Sequence, residues 1–146
     1  MWNTISSENE LSAFLETVCY FHDSCLKEMK YISGAYVTEK LSMLPENNRR
    51  ALSVVIQRQF EDIPMIEMEF EGLKYLKLFP VDERYTCEIL DATMIMKEGY
   101  IYWCDWGGLS ETDIGSYDGT VICAAKLRWR AISGHMGQEE FYRSIT

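Results

Sequence analysis

The chain has 146 residues, 47% of them hydrophobic and 25% charged, the proportions of an ordinary globular domain rather than of a disordered or fibrous chain. A formal net charge of −9 and a pI near 4.7 set a field that repels phosphate backbones and anionic lipid surfaces, so neither nucleic acid nor a membrane is an expected partner. Five cysteines, an odd number without a Cys-x-x-Cys pair, read as free thiols; with no basic-then-apolar leader at Met1, one cytoplasmic domain over 1–146 is expected.

Ser7 followed by Glu10 fits a capping box, and Leu11, Phe14, Leu15 and Val18 recur at helical spacing, which predicts an amphipathic helix running to about Tyr20. Its apolar stripe needs a cover. Residues 25–37 are rich in β-branched and aromatic types with Ser33 and Gly34 at a bend, a kinked strand. A polar turn over 45–48 leads to a second strand over 52–60, with Val55 marking burial on both faces. Residues 65–71 then alternate, with Ile66, Met68 and Phe70 on one face and Glu67, Glu69 and Glu71 on the other. Gly72 marks a bulge, and the run continues to Leu78 before Pro80 ends it. Residues 85–96 resume β character, and Glu98–Gly99 turns the chain tightly into the aromatic segment 100–106.

Residues 107–119 read as a long exposed loop. The last strand, 121–131, places Lys126, Arg128 and Arg130 on one face and Val121, Cys123, Ala125, Leu127, Trp129 and Ala131 on the other. Residues 138–145 form a short terminal helix or a frayed end. Strands with one oily and one charged face predict an α+β fold, an N-terminal helix packed on a curved, largely antiparallel sheet of about six strands. The glutamate and arginine rows offer each other partners across strands.

Chemistry-bearing residues gather at the helix–strand junction, where Phe21, His22, Asp23, Ser24 and Cys25 are consecutive. A thiol nucleophile needs a base within hydrogen-bond reach and a group to orient that base, and His22 and Asp23 are of the right types for Cys25. The same residue types also tie down loose backbone groups at helix ends. No spacing matches a zinc pattern and no glycine loop precedes a phosphate-binding lysine, so no metal and no cofactor is expected. In the aromatic segment, Tyr102 and Trp106 share a face beside the glycine-rich loop and are candidate anchors for a partner or for self-association. Glu67, Glu69 and Glu71 are a candidate surface for a basic partner.

The run Phe21-His22-Asp23-Ser24-Cys25, followed by Lys27 and Glu28 and later by Ile101-Tyr102-Trp103, resembles small bacterial β-rich proteins that open with a Phe-His-Asp segment after a short helix. Some of those are similar to immunity proteins encoded beside polymorphic toxins. The resemblance implies neutralisation of a protein partner and implies no catalytic residues. Two readings therefore stand side by side: a non-enzymatic interaction domain for a basic partner, and a small thiol-dependent or hydrolytic enzyme centred on His22, Asp23 and Cys25. A homodimer sealed by the aromatic strand is a third.

Overall fold

In the computed structural model, which describes residues 1–143, Ser7 starts the helix α1 (Glu8–Thr17). Its hydroxyl accepts from the Glu10 amide at 3.1 Å and donates to the Glu10 carboxylate at 3.0 Å, so an amide with no intrahelical partner is satisfied. The helix stops at Thr17, with Val18 as its C-cap, rather than running to about Tyr20. Cys19, Tyr20 and Phe21 then take φ of 50, 54 and 61°, a left-handed turn made of residues that carry side chains. Each costs roughly 1–2 kcal/mol in isolation, and the turn reverses the chain onto the sheet.

The strands are β1 (Asn3–Ile5), β2 (Ser24–Ile32), β3 (Tyr36–Val37), β4 (Met43–Leu44), β5 (Ala51–Arg58), β6 (Met65–Lys77), β7 (Thr93–Lys97), β8 (Tyr100–Cys104) and β9 (Val121–Ala131). An open antiparallel sheet has the order β2-β5-β6-β9-β8-β7, and β1 joins the same edge of β9 as β8. The architecture is α+β, as expected, with one main helix on a large antiparallel sheet. The tight turn at Glu98–Gly99 is present, both residues lying at positive φ as a type I′ hairpin requires.

Several local expectations are corrected. The stretch 25–37 is two elements, because Ser33 accepts from both the Arg49 and Arg50 amides and ends β2 there; β3 pairs only with β4. Of 85–96 only 93–96, the start of β7, is strand, although Ile89 makes a single bridge to Ser24. The loop 107–119 contains a short helix, α2 (Glu111–Ile114), closed by a capping box between Ser110 and Asp113. No helix forms over 138–143; residues 144 and 145 lie outside the described residues.

The α1 face of the sheet holds the main core. Phe14 packs on Trp129 with ring centroids 4.8 Å apart, and edge-on contacts link Phe14 to Phe21 at 5.6 Å and Phe21 to Trp103 at 5.8 Å. Leu52, Val54, Ile56, Ile66, Met68, Phe70 and Leu127 complete it, all fully buried. Strict alternation fails midway along β9: Ile122 and Ala124 join this core together with Leu127, while Val121 turns to a second cluster with Cys104 and Ile114. The change of face falls at Ala125 and Lys126, both exposed, alongside Gly72 of β6 at φ +62°.

A Cβ added at Gly72 would sit 3.1 Å from that of Ala125, in a backbone region side chains avoid. Gly72→Ala is therefore expected to lower unfolding stability by about 1–2 kcal/mol, read from urea denaturation curves.

Candidate interaction surface

Opposite the main core, Glu67, Glu69 and Glu71 stand in register with Arg130, Arg128 and Lys126. Arg130 closes on one oxygen of Glu67 through Nη2 and Nε at 2.7 and 2.9 Å, and Arg128 does the same to Glu69 at 2.8 and 3.0 Å. The Trp2 indole covers both guanidinium groups, 4.3 and 4.4 Å from its centroid. The other oxygen of Glu67 accepts from the Tyr142 hydroxyl at 2.7 Å, leaving the Glu67 side chain 7% exposed. Burial, then this bond, pushes the Tyr142 hydroxyl far above its ordinary pKa.

Residues 135–142 cross this face as a strap. Lys27 donates to the Gly137 and Gln138 carbonyls, Gln57 donates to those of His135 and Gly137, and the Glu28 carboxylate accepts the amides of Phe141 and Tyr142. The glutamate row is thus engaged within the fold at Glu67 and Glu69. Among the described residues, Glu71 and Lys126 do not close to ion-pair distance.

At the junction, His22 Nδ1 lies 2.6 Å from the Leu90 carbonyl and Nε2 lies 3.4 Å from Asp23 Oδ2. A carbonyl only accepts, so Nδ1 carries a proton. The Leu90 bond, then the Asp23 charge and more weakly Asp91, raises the His22 pKa. Asp23 is itself left-handed at φ 53°. Cys25 sits in β2 opposite Gln57, half-buried, and burial pushes its thiol pKa up. His22, Asp23 and Cys25 are therefore neighbours in the chain, but the imidazole is turned to Leu90 and Asp23. The thiol lacks the lowered pKa a nucleophile needs.

What the junction does build is a seam. The Ala92 amide donates to the Tyr20 carbonyl at 2.8 Å and the Ile89 amide to the Ser24 carbonyl at 2.7 Å, so residues 89–92 are stitched along the left-handed turn. On their other side, Thr93 donates to the Trp106 carbonyl at 2.6 Å, and Gly107 approaches so closely that a Cβ there would lie 2.6 Å from that of Asp91. Tyr20, Leu90 and Trp106 stand 46, 54 and 55% exposed along this line. The segments 19–25, 88–93 and 105–109 carry Asp23, Glu88, Asp91 and Asp105 and not one Lys or Arg. Asp105 accepts from the Tyr117 hydroxyl and the Thr120 amide.

Tyr102 and Trp106 part company. Tyr102 lies under α2 on the outer face, its ring edge-on to Tyr75 at 6.4 Å, and its hydroxyl is pushed up to about 12, first by its bond with Cys123 and then by burial. Trp106 follows the end of β8 and belongs to the seam. Sequence reasoning missed Tyr20 and Leu90, whose segments are joined to that of Trp106 through the Ala92–Tyr20 and Thr93–Trp106 bonds; the clue in the chain was the crowding of polar types just after Tyr20. No protein family, curated protein or solved structure matches this chain. Among the described residues no helix is long and apolar enough to cross a membrane, and no three His, Cys, Asp or Glu side chains gather as a metal site.

Glu67→Ala, which strands Arg130 and the Tyr142 hydroxyl, is expected to cost about 3 kcal/mol in denaturant unfolding, and Glu69→Ala, on a wetter rung, about 1 kcal/mol. In an NMR titration His22 is expected to titrate above the free imidazole value of about 6.5, with Asp23→Asn moving it part of the way back. The sign follows: the extra bonds of the imidazolium add stability below the free value and lose it as pH rises through the raised one. A thiol reagent is expected to label Cys19 and Cys87, which are exposed, well before Cys25, Cys104 and Cys123.

Proposed function

We propose that this chain is a non-enzymatic, cytoplasmic interaction domain that binds and neutralises a basic protein partner, as the resemblance to immunity proteins implies. The observation that supports it is the seam: Tyr20, Leu90 and Trp106, half-exposed, stand on three segments that carry Asp23, Glu88, Asp91 and Asp105 and no Lys or Arg of their own, the nearest such cation, Arg58, being buried beside Asp23 and Glu88. Large side chains with an apolar body are the usual anchors of an interface. A local acidic field on a chain of net charge −9 steers a cationic protein toward them and repels acidic competitors.

Strain supports the same reading. Four non-glycine residues within five positions, Cys19, Tyr20, Phe21 and Asp23, are held left-handed, and such backbone persists only where its surroundings over-determine it. Here the clamp of residues 89–92 does so, and the result is a fixed presentation of Tyr20 and His22. A rigid anchor loses less entropy on binding. The thiol-enzyme reading asks for a base on Cys25 and a lowered thiol pKa; His22 faces away and burial acts in the opposite direction.

The test is affinity capture from the native host at low salt with the tagged chain, beside a Leu90→Ala/Trp106→Ala variant whose fold is checked by its near-UV spectrum. A basic protein retained by the chain, released by roughly 0.5 M salt and held about tenfold less by the variant is the expected result. Recovery of no protein, or equal recovery by the variant, overturns the reading.

A further inference from the structure

The edge of β9 is shared by two strands that do not meet. β8 pairs with it over Val121–Cys104 to Ala124–Ile101, and β1 resumes with Leu127–Ile5. Ala125 and Lys126 are left without a strand partner on this edge, at the place where β9 changes face. The hole so made is a cleft of about 550 Å³, within the range of small-molecule sites. Ile5 and Ile101, both buried, and Met96, which packs on the main core, form its apolar wall, with Tyr100 beside them. Lys126 stands at the opening and makes no ion pair among the described residues, although Glu71 is its register partner.

We infer that this cleft is a binding site for a small amphipathic monoanion of the fatty-acid class, its chain on Ile5, Met96 and Ile101 and its carboxylate at Lys126. The two ends of the site are chemically distinct. Ile5 and Ile101 already form a dry floor, and apolar atoms entering the gap cover the parts of Met96, Tyr100 and Ala125 that remain exposed, which is favourable in proportion to area. An acid head is then drawn to Lys126 at the opening, the neighbouring cation Lys74 being seated over the Tyr100 ring at 4.5 Å, and Lys acts on an anion as a mobile point charge. A neutral chain gains only the first contribution. The seam at Tyr20 and Trp106 plays no part in this site, so the two proposals stand or fall separately.

The probes are octanoate and its neutral counterpart 1-octanol, each titrated into the ¹³C-methyl-labelled protein to the millimolar range where weak sites saturate. Octanoate is expected to shift the methyl signals of Ile5, Met96 and Ile101 saturably while leaving Ile114, on the other face, unmoved. Octanol is expected to bind roughly tenfold more weakly, and Lys126→Gln to reduce octanoate to the octanol level without changing octanol binding. Lys126 is exposed, so the variant's unperturbed spectrum confirms its fold. Absence of saturable shifts overturns the site. Equal affinity for both probes, or octanoate binding untouched by Lys126→Gln, overturns the assignment of an anionic ligand.

Discussion

Everything else in the fold hangs on the pairing of β6 with β9, the two longest strands, which run antiparallel through the middle of the sheet. Their register sets Met68 beside Trp129 and Phe70 beside Leu127 under the helix, and by the same alternation sets Glu67 against Arg130 and Glu69 against Arg128 on the far side. A slip of one residue would reverse both faces at once, placing charges in the core and oil in water. The ion ladder therefore acts less as a source of net stability than as a register lock, since desolvation offsets much of the attraction in half-buried pairs. Trp2 and Tyr142, from the two ends of the chain, close over that ladder and shield it from solvent.

The same pair of strands also creates the fold's irregularity. Where Gly72 turns left-handed beside Ala125, both strands rotate their faces, so the sheet carries one core under α1 and a smaller one under α2. Because β8 follows the rotated half and β1 the other, neither reaches across the change. The cleft and the second cluster around Tyr102 both lie beside this irregular stretch, which also holds the bulge of β6 between Leu73 and Tyr75.

At the opposite end, strain and display are coupled. The left-handed turn after α1 is unfavourable in itself, and the backbone bonds from residues 89–92, with the His22 contact to Leu90, hold it. Those bonds bring together three stretches distant in sequence, each acidic and each with one large apolar side chain turned outward. A surface assembled in this way holds its charges and its large exposed side chains in fixed relation to one another.

Much was legible from period alone. A two-residue alternation of oil and charge over 65–71 and 121–131, with a cap and helical stripe over 7–18, determines an α+β architecture and the wet face of β6 and of β9 from Lys126 onward, but not of 121–125, because burial is decided residue by residue by transfer out of water. The cross-strand partnership of Glu67 and Glu69 with arginines was likewise implied by two oppositely charged rows of equal spacing. What period cannot encode is a change of period. The rotation at Ala125, the left-handed residues 19–21, the splitting of 25–37 and the short strand at 3–5 depend on contacts between segments far apart in the chain. Only the tertiary structure decided that the segment of Trp106 would lie along one seam with those of Tyr20 and Leu90, and that Trp2 and Tyr142 would close over the ion ladder, because those outcomes are set by which distant segments come together and not by any side chain's own preference.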